Sequence, residues 1–244
     1  MILVTGASSG IGAHFSSLLA ARKAKVAVAA RRADLLAKIT AEASAAGGKM
    51  LPVAMDVGSI ESIRAGMAKI EAELGPVEIL INNAGVLLEG TALEVSEQDF
   101  DRLFAINVKG TFFVTQTCGK RMIDLDIAGR IVNIASVAGL VPMRLLSVYG
   151  MTKAALVHMT KALAQEWARH DLCVNAICPG FVATDMNAAF FASPPGEKLI
   201  KQLPKRRLGA LDALDELLLL LISEARSRFI NGAIITVDDG YSVS

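Results

Sequence analysis

"VTGASSGIG", residues 4–12, stands between a short apolar run and a helical pattern, and its three glycines, Gly6, Gly10 and Gly12, decide how the rest of the chain is read. Glycine lacks the β-carbon that disfavours left-handed backbone, so this spacing lets a strand turn sharply into a helix and brings main chain close to a ligand. The helix that starts there presents amides without internal partners and a partial positive charge, a combination that suits a pyrophosphate. Ser8, Ser9 and Ile11 fill the turn between the glycines and are expected to face the same ligand. The G-x-x-x-G-x-G spacing differs from the G-x-G-x-x-G of many dinucleotide sites, and a turn of this kind can also serve structure alone.

Outward from this turn, short β-branched or apolar runs alternate with longer helical patterns: "ILVT", "KVAVAA", "MLPVAM", "VEILIN", "RIVNIA", "CVNAIC" and "AIITVD". Seven such runs separated by helices predict a doubly wound α/β fold, a seven-stranded parallel sheet with helices on both faces. No linker, repeat or low-complexity tract divides the chain, so residues 1–244 are expected to form one domain. The loosest stretch is residues 184–205, "TDMNAAFFASPPGEKLIKQLPK", where Pro194, Pro195 and Gly196 are expected to interrupt two short helical pieces. A segment of this length inside a compact domain predicts a lid over a substrate.

Bulk properties exclude several classes of function. Twenty-five basic against twenty-four acidic residues leave a net charge of +1, without the one-sided field that nucleic-acid binding needs. The longest apolar run, "LLLLLI" at 217–222, is far shorter than the roughly 18 residues of a membrane span, and "MILVTGASSG" is not built as a signal peptide. Cys118, Cys173 and Cys178 form no Cys-x-x-Cys pair and have no histidine at ligand spacing. These features predict a soluble, cytoplasmic protein with reduced thiols and no metal centre. His14, His158 and His170 read as structural residues of helices.

The second strand run ends "AARR", which puts Arg31 and Arg32 where a dinucleotide fold that prefers NAD carries a carboxylate for the ribose 2′-hydroxyl. An arginine there suits the 2′-phosphate of NADP, so NADP(H) is expected over NAD(H). Further along, Ser136 lies at the C-terminal edge of the fifth run, Tyr149 follows thirteen residues later, and Lys153 stands four residues beyond in "YGMTK". Positions i and i+4 share a helix face, so phenol and ammonium can approach one another.

With "TGASSGIG", "NNAG" at 82–85, Asn107 in "FAINVKGTFF", Ser136, "YGMTK" and "PGFVAT" at 179–184 in this order, the chain resembles the short-chain dehydrogenase/reductase family over nearly its whole length. The resemblance implies a single-domain Rossmann-like fold and an NADP(H)-dependent oxidoreductase that interconverts a ketone and a secondary alcohol. Tyr149 would be the general acid or base, with its pKa near 10 lowered by Lys153. Lys153 would also hold the nicotinamide ribose, Ser136 the substrate oxygen, and Asn107 a proton relay. Asn82, Asn83, Ala84, Gly85, Pro179, Gly180 and Val182 would line the cofactor channel, Asp56 and Val57 would meet the adenine, and Thr184 the carboxamide. The family also implies a homodimer or homotetramer, with Leu156, Met159, Leu163 and Trp167 as core or subunit contact.

The substrate end reads as apolar, with Val137, Ala138, Leu140, Val141, Leu145, Leu146, Phe181, Met186, Phe190 and Phe191 around the reacting carbon. That character predicts a small-molecule hydrophobic ketone or its alcohol. A 3-oxoacyl-thioester reductase, resembling the 3-oxoacyl carrier-protein reductases, is the alternative, with Arg130, Arg169 and His170 either meeting an acidic carrier or forming a solvated face. A non-catalytic NADP-binding sensor or scaffold is the alternative of another class. Two departures from the family pattern stand out: Gly6 follows Met1 by only five positions, and Asp239 occupies a turn position where the family commonly has glycine.

Overall fold

The seven runs form the strands β1 (Ile2–Thr5), β2 (Lys25–Ala30), β3 (Lys49–Ala54), β4 (Ile79–Asn82), β5 (Arg130–Ile134), β6 (Cys173–Pro179) and β7 (Ile234–Val237) in a computed structural model that describes residues 1–45, 47–184 and 187–244. They assemble into one sheet in the order β3-β2-β1-β4-β5-β6-β7, and every pair is parallel. The helices are α1 (Gly10–Ala21), α2 (Ala33–Ala45), α3 (Ile60–Leu74), α4 (Glu97–Phe104), α5 (Thr111–Asp124), α6 (Ser147–Trp167), α7 (Ala188–Phe191), α8 (Pro194–Gln202), α9 (Asp215–Leu221) and α10 (Glu224–Ser227).

The alternation of side chains along each strand builds two cores. Leu3, Ala27 and Ala29 point to one face, where Ile63 and Ile70 of α3, Val114, Cys118 and Met122 of α5, and Leu163 of α6 cover them. Ile2, Val4, Val26 and Val28 point to the other, against Phe15 and Leu19 of α1, Leu36 of α2, and Leu218 and Leu221 of α9. Burial on both faces is why the strand runs read as nearly continuous apolar stretches rather than as alternating ones. Winding reverses between β1 and β4, which opens a crevice at the carboxyl ends of these strands. Among the described residues no helix is long and apolar enough to cross a membrane.

Three features bear on the sequence reading. Arg130 is not on a solvated face: its side chain is buried, and its Nη1 donates to the carbonyls of Ala128, Gly129 and Asp171. As the first residue of a central strand, it is covered by the neighbouring chain, a placement that composition does not reveal. The stretch forms two short helices, α7 and α8, and Pro194, Pro195 and Gly196 open α8 rather than lie between the two, with the Ser193 hydroxyl accepting from the Gly196 amide. Proline tolerates the first helical turn because its missing N–H has no partner there. Gly196 marks close contact between the two short helices, since a β-carbon there would lie 2.6 Å from the Phe191 Cα. Finally, Asp239 does adopt the left-handed conformation of a glycine turn, with φ of 56°.

Candidate active site

The crevice is a cavity of about 880 Å³ that runs from the glycine turn to the short helices α7 and α8. At one end Gly6, Ser8, Ser9, Gly10 and Ile11 form its wall. Gly6 and Gly10 have φ of 64° and 55°, and a β-carbon on Gly6 would sit 2.6 Å from the Ala84 Cα. Only glycine fits where the β1 turn crosses the β4 turn. Gly12 acts differently. It is absent from the cavity wall, and a β-carbon there would overlap the Gly6 carbonyl and the Asn83 amide, so its bare backbone lets α1 pack directly on the strand ends.

Thr5 and Asn83 lock these two turns together. The Thr5 hydroxyl accepts from the amides of Asn83 and Ala84, both at 3.1 Å, and Asn83 Nδ2 donates to the Thr5 and Gly6 carbonyls at 3.2 and 3.1 Å. Ser9 caps α1 without bonding its first-turn amides, because its hydroxyl is engaged by Arg32. Arg32 Nη2 donates to both Ser8 and Ser9 at 2.9 Å, and Arg31 lines the wall beside it. Asp56 and Val57 also line this end; the Asp56 carboxylate accepts from the Gly58 amide at 2.9 Å, which fixes the turn ahead of α3. Free helix amides, left-handed glycines and two cations in one cleft fit the phosphates of a dinucleotide.

At the other end, Ser136, Tyr149 and Lys153 meet in the same cavity. Ser136 begins a one-turn 3-10 helix, Val137–Gly139, and its hydroxyl accepts from the Ala138 amide at 3.1 Å. Tyr149 and Lys153 lie in the first turns of α6, and Lys153 Nζ is 5.7 Å from the centre of the Tyr149 ring. Lys153 is only 6% exposed and donates to the Ile134 carbonyl at 2.9 Å. Burial lowers its pKa to about 8. Burial also pushes the Tyr149 phenol up to about 12, with Ser136 acting in the opposite direction. The expected acidification of Tyr149 by Lys153 is therefore not the dominant effect here. The ammonium stands over the ring and gives its hydrogen bond to main chain, while desolvation penalises the phenolate.

Asn107 stands behind this group and not on the cavity wall. It lies in a π-helical turn, Ala105–Gly110, between α4 and α5. Its Oδ1 accepts from the Val86 amide at 2.8 Å, and its Nδ2 donates to the Val86 carbonyl at 2.9 Å and to Thr152 Oγ1 at 3.1 Å. It thus joins the loop after β4 to α6 at Thr152, the residue before Lys153. Asn82, expected to line the channel, does not reach it. It is buried, and donates to Thr115 Oγ1 at 2.7 Å and to Asn133 Oδ1 at 2.9 Å. A β4 residue facing along the sheet serves the packing of β4 on β5 and α5.

Asn83, Ala84, Gly85, Pro179, Gly180, Val182 and Thr184 line the middle of the cavity. Val137, Ala138, Leu145, Leu146, Phe181, Phe190 and Phe191 line its substrate end, whereas Leu140 and Val141 do not; Met186 lies outside the described residues. Sequence reasoning missed Leu87, Glu89, Met143, Arg144, Leu199, Gln202 and Tyr241, all on the wall. They come from loops, helix ends and, for Leu199, the middle of α8, and none belongs to a motif, so no local signal marks them.

A family model described as short chain dehydrogenase matches residues 1–194. The chain is 37% identical over 243 residues to the gluconate 5-dehydrogenase of Gluconobacter oxydans (strain 621H), covering 99% of this chain and 94% of that protein. It is 37% identical over 239 residues to the acetoacetyl-CoA reductase of Shinella zoogloeoides, covering 98% and 96%. A crystal structure of a gluconate 5-dehydrogenase from Burkholderia cenocepacia J2315 in complex with NADP and tartrate superposes with a TM-score of 0.93 at 29% identity, covering 100% of this chain and 95% of that one. With a crevice shaped for a dinucleotide and a family match across most of its length, the chain belongs to the short-chain dehydrogenases, oxidoreductases that interconvert alcohol and carbonyl groups with a nicotinamide cofactor.

Proposed function

We propose that this chain is an NADP(H)-dependent carbonyl reductase or alcohol dehydrogenase that acts on a hydrophobic ketone or its secondary alcohol, with Tyr149 as the acid/base. The observation that carries the reading is that Tyr149, Lys153 and Ser136 share one cavity with the glycine turn, and that its wall carries Val137, Leu145, Leu146, Phe181, Phe190 and Phe191 beside the polar Glu89, Arg144 and Gln202. Tyr149, held protonated by burial, donates its phenolic proton to the carbonyl oxygen during reduction and takes it back in oxidation. Ser136 holds that oxygen against the phenol. Lys153 keeps a positive charge beside the ring at pH below about 8 and is fixed by Ile134. The glycine turn, Arg31 and Arg32 would hold the phosphates of NADP(H), which when bound would supply hydride chemistry.

Preference for NADP(H) is supported by two arginines at the end of β2, with Asp56 and Glu89 the only carboxylates among the described wall residues. A charge-assisted hydrogen bond to a phosphate contributes about 1.5 to 3 kcal/mol, equivalent to tenfold discrimination or more. Residues 184–205 serve as the substrate lid, and the protein works in the cytoplasm as a homodimer or homotetramer. A 3-oxoacyl thioester is the second substrate reading, favoured by the similarity to an acetoacetyl-CoA reductase.

The test is the initial rate of NADPH and NADH oxidation across aryl ketones, aliphatic ketones, 3-oxoacyl thioesters and keto-sugar acids, with Tyr149→Phe alongside. NADPH-linked reduction of hydrophobic ketones that Tyr149→Phe abolishes is the expected outcome. Preferred turnover of a keto-sugar acid overturns the substrate class, and tight NADPH binding without turnover favours a sensor.

A further inference from the structure

Tyr241 lies far along the chain from every motif of the site, yet it lines the same cavity as Tyr149. The turn that follows β7 brings it there. Asp239 and Gly240 are both left-handed, with φ of 56° and 87°, so the chain reverses within two residues. The Asp238 carboxylate clamps this reversal by accepting from the amides of Gly240 at 3.1 Å and Ser242 at 2.8 Å. Gly180 packs against it, since a β-carbon on Gly180 would come within 2.7 Å of the Asp238 β-carbon.

Placed this way, the Tyr241 ring meets Phe181 edge to face, with centroids 5.1 Å apart and planes at 90°. Phe181 meets Phe191 in the same manner at 6.3 Å and 87°, and Phe191 meets Phe190 at 5.2 Å and 69°. All four rings line the cavity. Edge-to-face packing holds each ring against rotation and leaves faces and edges for a further ring. The wall is also tied to the chain beyond α8, because the Asp239 carboxylate pairs with Lys205 and Arg207.

We infer that Tyr241 is a substrate-selecting residue that, with Phe181, Phe190 and Phe191, forms an aromatic wall for the planar ring of a ketone, so that the substrate class is aryl or conjugated cyclic ketones and not small aliphatic ones. The inference rests on the alcohol–carbonyl reading above and narrows it.

The test compares wild type, Tyr241→Phe, Tyr241→Leu and Tyr241→Ala with two ketones, 2-acetonaphthone and 2-butanone. Expected is a five- to tenfold rise in KM for 2-acetonaphthone in the Leu and Ala variants, with kcat nearly unchanged and Tyr241→Phe close to wild type. The Kd for NADPH should not move, and the poor kcat/KM for 2-butanone should fall far less than that for 2-acetonaphthone. Equal losses on both ketones, or a fall in NADPH affinity, would show that Tyr241 only supports the fold and would overturn the inference. Calorimetric titration of 2-acetonaphthone into the NADP⁺ complex gives a readout that needs no turnover. Binding that weakens in the Ala variant without any reduction sustains the wall while rejecting the proposed reaction, whereas absence of binding to wild type rejects the wall itself.

Discussion

The two ends of the cavity are built from different materials. The cofactor end presents mostly main chain, left-handed glycines and first-turn amides of α1, with the Thr5 and Asn83 side chains tying the β1 and β4 turns together behind it and Arg31 and Arg32 at its edge. The other end is side chain, with an aromatic wall assembled from Phe181, the nearby helix α7 and Tyr241, which lies far from both in sequence. A ligand common to all members of a family can be met by backbone, whose shape survives sequence change. A ligand peculiar to one member needs side chains, and these can be exchanged without disturbing the sheet. Between the ends stand Ser136, Tyr149 and Lys153, which belong to neither material alone.

The strongest way to break this division is at the junction. Tyr149→Phe is predicted to lower ketone reduction by about 10²- to 10⁴-fold while NADPH affinity changes less than twofold, checked by steady-state rates and fluorescence titration. A parallel loss of NADPH binding would show that the phenol also builds the cofactor end. Next in size, Gly12→Ala should destabilise the protein by about 1 to 3 kcal/mol, because the added methyl overlaps the Gly6 carbonyl and Asn83, as measured by denaturant unfolding. The cofactor affinity should fall with it. If stability falls and affinity does not, the turn is less rigid than the Thr5 and Asn83 bonds imply.

Arg32→Ala tests the charged edge of the cofactor end, with an expected rise of about tenfold or more in KM for NADPH and little change for NADH. An equal effect on both would assign Arg32 to the Ser8–Ser9 turn alone. For the junction, a difference titration between wild type and Tyr149→Phe should reveal a phenol that ionises near 12, above the ordinary value of 10.0. The folded state then holds a proton that the unfolded chain releases, so stability should fall as pH rises from about 10. Lys153 has the opposite slope. Its folded pKa of about 8 lies below 10.5, so its contribution is present above that range and lost as pH falls through about 8.

The smallest effect belongs to the substrate end. Leu145 is left-handed, with φ of 64°, and lines the cavity while its carbonyl accepts from the Gly90 amide at 2.9 Å. Leu145→Gly relieves a strain of about 1 to 2 kcal/mol and loses about half as much in chain entropy, so stability should change by less than about 1 kcal/mol. The KM for the ketone should change more visibly than the melting temperature does.

How much of this is open to sequence reasoning differs by residue. The strand runs are legible to within a residue or two at their ends, because parallel strands buried on both faces must be apolar throughout. The placement of the glycine turn, Ser136, Tyr149 and Lys153 in one cavity is legible because the first two follow the carboxyl ends of strands and the last two share a helix face. Asn107 is legible as a residue and not as a geometry. Its place behind Lys153 follows from a π-helical turn that no spacing announces. Asn82 is expected at the channel from the resemblance carried by "NNAG", and the two-residue period of β4 sends it to Thr115 and Asn133 instead.

The order of apolar runs, the punctuation by glycine and the spacing of Ser136, Tyr149 and Lys153 were therefore enough to specify a doubly wound sheet with a dinucleotide turn, since each of these depends on neighbours along the chain. The burial of Arg130, the upward pKa of Tyr149 and the entry of Tyr241 into the wall depend on neighbours across space. Desolvation and ring packing are properties of the surroundings that folding assembles, and the same residues in another order of strands would have met different ones.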